Sequence, residues 1–196
     1  MTISAADVAK LRKMTGVGMM ESKKALVESE GDFDKAIDAL RKRGAAKAAK
    51  KADRETSEGR VHTYTHGTGK IGVMVEVQCE TDFVARNEAY VQLCQDIAMH
   101  IAAMSPEYLT REEVSPEFLA KEKEIASELL RTEGKPEEMI EKILVGKMDR
   151  LYSEVCLMEQ AFIKDEDKTI AQLLEGKVLE LGENIKITRF NRFQIG

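Results

Sequence analysis

The chain contains no tryptophan, and only 5% of its residues are aromatic. Cysteine is equally scarce: Cys79, Cys94 and Cys156 are odd in number, widely separated, and offer no paired spacing for a zinc site. Cys79 falls in a strand-like run and Cys94 on an apolar helical face, so both read as small buried hydrophobes. A reducing, cytoplasmic setting is the expectation. Every strongly apolar window is short and broken by charge, which excludes a membrane-spanning helix. Met1 to Ala9 has neither a basic start followed by an apolar core nor the arginines of a transit peptide.

Recognisable catalytic patterns are missing too. No glycine-rich phosphate loop runs into a lysine and a hydroxyl residue, and no serine or cysteine sits in a nucleophile elbow. The histidines are His62, His66 and His100. His62 and His66 share one face of a strand, but no acid or cysteine joins them at ligand spacing, so exposed edge positions are expected. The chain therefore reads as a non-enzyme without metal or cofactor.

What is abundant is charge. Asp, Glu, Lys and Arg make up 33% of the 196 residues, with a net charge of -5. That suits long exposed helices and argues against general nucleic-acid binding. Lysine, arginine and alanine dominate from Arg41 to Arg54, and no aromatics are interleaved there to stack on bases. A solvated helix extension leading into a linker is expected, with an RNA contact as the competing reading.

The order of elements predicts an α+β protein, with a small antiparallel sheet packed against helices. Residues 1–50 read as a three-helix module, 51–58 as a basic linker and 59–196 as an α+β core. In the module, Ser4 and Asp7 have capping-box spacing, Thr15-Gly16-Val17-Gly18 breaks the first helix, and Gly31-Asp32 ends one helix and caps the next. In the core, Gly59 to Gln78 reads as a β-hairpin turning at Gly67-Thr68-Gly69. Asn87 caps a helix with Leu93, Ile97 and Ile101 on its apolar face. Ser105 to Met148 is acidic and helical, with starts at Pro116 and Pro136. Asp167 or Thr169 can cap a helix through Leu181, and Ile185 to Phe193 alternates as a final strand.

The connector Thr81-Asp82-Phe83-Val84 interrupts this regular picture, because it puts an aromatic ring and an acid where the chain should turn. Two readings stay open on the residues alone. Phe83 could plug the gap between sheet and helix while Asp82 bonds turn amides. Alternatively the pair projects into a partner, the ring acting as an interface anchor.

Two segments together resemble one family. Leu11 to Leu26, with Thr15-Gly16-Val17-Gly18-Met19-Met20 inside it, is similar to the N-terminal signature of bacterial elongation factor Ts, and Glu76 to Arg86 is similar to its second signature. The likeness continues through Gly134-Lys135-Pro136, Gly146-Lys147-Met148 and Glu159-Gln160-Ala161-Phe162. The length resembles short members that lack an inserted coiled coil. The resemblance implies guanine-nucleotide exchange on elongation factor Tu, without covalent chemistry. It implies a ubiquitin-associated-type module that docks on the GTPase through Leu11, Arg12, Val17, Gly18, Met19 and Met20. It also implies a wedge of Thr81, Asp82, Phe83 and Val84 near the partner's Mg²⁺ and phosphate site, with Arg86 and Asn87 setting its approach. Met19 and Met20 are adjacent on a helix, so at least one should be free to meet a partner. Covering a small open sheet suggests a noncovalent homodimer with Asn184 to Ile195 at or near the contact. A generic ubiquitin-associated-type adaptor, with the core as mere scaffold, is a further alternative.

Overall fold

Ser4 begins the first helix by a reciprocal exchange with Asp7: its hydroxyl accepts the Asp7 N–H at 3.1 Å, and its own N–H reaches the Asp7 carboxylate at 3.3 Å. This helix, α1 (Ala5–Thr15), stops at Gly16, whose φ of 74° is the left-handed cap that glycine adopts without strain. Then come α2 (Met19–Glu28) and α3 (Phe33–Lys51), the latter capped by Asp32 accepting from Lys35. The computed structural model describes residues 3–196; Met1 and Thr2, the start of the stretch weighed as a leader, lie outside the described residues.

Strands β1 (Glu58–His66) and β2 (Ile71–Cys79) form the hairpin, with Glu58 opposite Cys79 and His66 opposite Ile71. A four-residue helix α4 (Asp82–Ala85) leads into α5 (Glu88–Met104), which Asn87 caps by accepting from Ala89 at 2.9 Å. Next are α6 (Pro116–Thr132) and α7 (Glu137–Val155). They form a short hairpin with its own apolar seam of Leu130, Ile140 and Leu144. A small ribbon, β3 (Ala161–Phe162) and β4 (Asp165–Thr169), precedes α8 (Ile170–Leu181), and β5 (Ile185–Gln194) ends the fold. Of the two candidate caps, Thr169 is the one used; it and Gln172 form a capping box. The main sheet is antiparallel in the order β1-β2-β5.

Alternation sorts this sheet cleanly. Val73, Val75, Val77 and Cys79 turn inward onto Tyr90, Leu93, Cys94, Ile97 and Ile101 of α5. Leu174 and Val178 of α8 close the same core. The N-terminal helices bury Val8, Leu11, Val17, Ala25, Leu26, Ala36 and Leu40, and this second cluster includes Leu179 of α8.

The basic run extends α3 with Arg41, Lys42 and Lys50 in solvent, but four of its cations are also engaged within the protein. Arg43 pairs with Glu21 at 3.3 Å and also with Glu28, and Lys47 meets Glu21 at 3.3 Å. Lys51 donates to the Gly182 carbonyl, and Arg54 pairs with Glu80 at 3.3 Å. Helix α3 continues to Lys51 and lies along α8, where Gly44 permits a close approach: a Cβ there would stand 3.1 Å from the Glu175 carbonyl oxygen.

His100 is fully buried. Its Nδ1 accepts the Ile163 N–H at 3.3 Å, so Nε2 carries the proton and donates to Gln160 Oε1 at 3.0 Å. Gln160 in turn donates to the Glu154 carbonyl at 2.7 Å. A neutral imidazole satisfies both ends, and burial pushes the His100 pKa below its ordinary value.

Two predictions follow from this packing. Because the folded-state pKa of His100 lies below the unfolded one near ~6.5, folding favours the neutral form. Its contribution is complete above that pH and is lost as the pH falls. The urea midpoint should drop between about pH 7.5 and about pH 5.5, and His100→Gln should flatten that slope; a flat wild-type profile would refute the assignment. The second compares glycines. Gly44→Ala should destabilise by about 1 kcal/mol or more, since overpacking against backbone outweighs helix propensity. Gly146→Ala, in α7 with open space around it, should stabilise by roughly 0.5–1 kcal/mol. Equal effects in urea denaturation would contradict the close contact of α3 with α8.

Candidate functional site

Phe83 is 84% exposed, the largest such value among the described large hydrophobic residues. The gap it might have plugged is already filled: Ala85, the inward residue of α4, packs into the core, and the buried Tyr90 donates its hydroxyl to the Val77 carbonyl at 2.7 Å. The plug reading is thereby overturned. A helix of one turn places Ala85 inward and Phe83 outward, with Val84 half-buried between them.

Thr81 starts this turn, not Asp82. Its Oγ1 accepts the Val84 N–H at 3.4 Å and donates to Glu183 at 2.6 Å. Asp82 instead points along the helix to Arg86, and the pair meets at 3.0 Å with both groups largely in solvent. Asn87 is spent on capping α5. The four residues 81–84 therefore present one bare ring beside one carboxylate, on a loop that is fixed from behind.

The N-terminal module offers a second surface. Met20 is 78% exposed and Met19 is 43% exposed, and Gly18 and Arg12 are exposed alongside them. Leu11 and Val17 correct the expected contact set. They are 0% and 3% exposed and form part of the module's core, because the α1–α2 break needs an apolar filler under it. The methionines thus open α2, at a helix break that Val17 and Leu11 hold from inside.

A third surface is the side of the main sheet turned away from α5. Register places Val61, Met74 and Phe193 on that side, and Ile195 continues it beyond β5. All four are exposed. The glutamate of this face, Glu76, is held by Arg189 at 2.8 Å and by the Thr188 hydroxyl at 2.8 Å, and these bonds lower its pKa.

The three thiols are buried and free, and burial raises the pKa of Cys94 to about 12 and of Cys156 to about 11. Thiols so far from ionising are poor nucleophiles. Among the described residues, no group of three His, Cys, Asp or Glu is placed to hold a metal ion, and no helix is long and apolar enough to cross a membrane.

Glu183 is the residue that local pattern reading misses. It takes the Glu80 N–H at 3.1 Å and the Thr81 N–H at 3.0 Å from 102 or more positions away in the chain. Only its place in the polar turn Gly182-Glu183-Asn184, just after a capped helix, hints that it has a task.

Known proteins similar to this chain agree with one another. A family model described as Elongation factor TS matches residues 35–196. The elongation factor Ts of Geobacter sulfurreducens is 55% identical over 196 residues, covering 100% of this chain and 91% of that protein. That of Fervidobacterium nodosum is 54% identical over 196 residues and covers both chains completely. That of Moorella thermoacetica is 53% identical over 194 residues, 99% of this chain and 96% of its own. These relatives carry the match through the N-terminal helices that the family model leaves out. The chain belongs to the elongation factor Ts family of translation elongation factors.

Proposed function

We propose that this protein releases GDP from elongation factor Tu by placing α4, with Phe83 and Asp82 at its tip, against the GTPase's Mg²⁺ and phosphate site. Family membership makes it the nucleotide exchange factor of that GTPase; the manner of release is the proposal. The observation that carries it is the bare Phe83 ring on a loop fixed from behind. An exposed ring on a fixed support is what an interface anchor requires, since little ordering entropy remains to be lost on binding.

The physics needs no covalent step. GDP is held by backbone amides around its phosphates and by a Mg²⁺–oxygen shell. A factor that binds the empty GTPase more tightly than the loaded one must weaken GDP by the same ratio, because linkage is reciprocal. Phe83 supplies displacement by wedging between packed elements of the partner. Asp82 perturbs the metal shell, and its present partner Arg86 is easily exchanged, exposed pairs being worth under about 1 kcal/mol. Arg12, Gly18, Met19 and Met20 form the docking surface, methionine being suited to an adaptable contact. Leu11 and Val17 support it from within.

The exposed sheet face supports a second part of the reading. Val61, Met74, Phe193 and Ile195 would be covered by the same face of a second copy, giving a noncovalent twofold dimer that carries two GTPase molecules. Isologous packing suits a small sheet with one side already buried.

Release of a fluorescent GDP from elongation factor Tu tests the main claim. Substoichiometric protein should accelerate release, and an unchanged rate would sink the exchange reading. Phe83→Ala should slow exchange by about one to two powers of ten while moving folding stability by no more than about 0.5 kcal/mol, as for other exposed positions. For the dimer, light scattering at micromolar concentration should give twice the chain mass, and Phe193→Glu should halve it. A monomeric wild type would remove the dimer from the account.

A further inference from the structure

We infer that Glu183 is the positioning residue of the wedge: its carboxylate sets the conformation of α4 and ties it to the turn between α8 and β5. This deepens the exchange reading and rests on it.

The geometry is a directed chain of hydrogen bonds. Glu183 Oε2 accepts two successive backbone amides, Glu80 at 3.1 Å and Thr81 at 3.0 Å. Its Oε1 accepts the Thr81 hydroxyl at 2.6 Å. With its proton committed to Glu183, Thr81 Oγ1 can only offer lone pairs to the Val84 N–H, 3.4 Å away. Bonds to an ionised acceptor are the strong class, so the cap of α4 is polarised from outside the loop. A helix of four residues cannot hold itself together. Its single buried residue, Ala85, fixes a point but not an orientation.

The facing loop answers in kind. Glu80 accepts the Asn184 N–H at 2.6 Å, so two glutamates on adjacent loops each hold the other loop's backbone. The side-chain amide of the buried Asn184 then donates to the Ala52 and Arg54 carbonyls at 3.3 and 3.0 Å. Arg54 closes the ring onto Glu80 at 3.3 Å. Three segments meet there: the end of the module's connector, the base of the wedge, and the turn between α8 and β5. None of these contacts touches the exposed face of Phe83, so the knot acts through the wedge and not on the partner.

Its functional consequence is a population. A wedge that holds its competent conformation only part of the time releases nucleotide in proportion to that fraction. Docking through Met19 and Met20 is unaffected by it. Loss of Glu183 should therefore lower the maximal exchange rate and leave the half-saturating concentration alone.

The test uses the full chain with elongation factor Tu and fluorescent GDP. Glu183→Ala should reduce the maximal rate about tenfold, Glu183→Gln by about two- to threefold, and both should shift half-saturation by less than about twofold. Because the chain has no tryptophan, Phe83→Trp introduces a lone indole whose steady-state anisotropy reports wedge mobility. Adding Glu183→Ala should lower that anisotropy. Wild-type rate and unchanged anisotropy in Glu183→Ala would overturn the inference. So would a rate loss matched by an equal rise in half-saturation or by an equal loss of folded circular-dichroism signal. Should Glu183→Ala not fold, Glu183→Gln and Thr81→Val decide by the same criteria. Failure of the wild-type protein to accelerate release would instead strike the exchange reading, while the anisotropy comparison still judges the clamp.

Discussion

Leu179 sits on α8, yet its side chain belongs to the core of the N-terminal helices, while Leu174 and Val178 of the same helix belong to the core under the sheet. One helix thus serves two cores, and the relation between the module and the sheet domain depends on that sharing. The fit is close because Gly44 lets α3 approach the α8 backbone. Separating the two parts would expose Leu179 and undo the contact along α3, at a cost set by the apolar area returned to water. A chain that looks modular in sequence is mechanically closer to one body. That matters for the proposed mechanism, in which a docking surface and a wedge must reach the partner at a set separation.

Stability and function place opposite demands on residues 80–86. A phenyl ring left in water gains nothing from the hydrophobic effect until a partner covers it. The fold tolerates this because the backbone beneath is held by polar bonds that do not need the ring. Thr81, Glu80, Glu183 and Asn184 do that holding, and Ala85, with the half-buried Val84 beside it, contributes the apolar contact. The same logic governs the α1–α2 break, where buried Val17 and Leu11 support exposed methionines. In both places inward residues carry the stability and outward ones stay exposed.

Much of this was legible in the sequence because it is local. The caps at Ser4, Asp32, Asn87 and Thr169 each act within three residues, and the period-two alternation of Val73, Val75 and Val77 shows directly which face is buried. The hairpin turn is written in Gly67 and Gly69, both at positive φ. Illegible features were those joining distant residues. Nothing near Glu183 indicates that its carboxylate will meet Thr81, nor does anything beside His100 reveal Gln160, 60 positions on. The α1–α2 signature shows a similar limit. Its motif marks Leu11, Val17, Met19 and Met20 alike, and only the fold separates those that support from those that face outward. Phe83 is the converse case: its unusual place was visible, but both fates open to an aromatic in a connector gave the same local pattern.

The charge distribution completes the account. Within a chain of net charge -5, the basic run at 41–54 is the one feature that invites a nucleic-acid reading. Four of the cations in that run, however, are bound to Glu21, Glu28, Gly182 and Glu80. Arg43 and Lys47 neutralise carboxylates of α2 within the module, while Lys51 and Arg54 meet a helix-terminal carbonyl and a carboxylate of the core, groups that would otherwise repel or remain unsatisfied. Asp82 contrasts with them. Among the described residues its one cation is Arg86, which ends the same short helix, in an exposed pair that is therefore readily exchanged. Charges that hold the fold are paired across elements, whereas Asp82, at the proposed wedge, is paired within its own turn. An incoming partner can take it over without disturbing anything that keeps the protein folded.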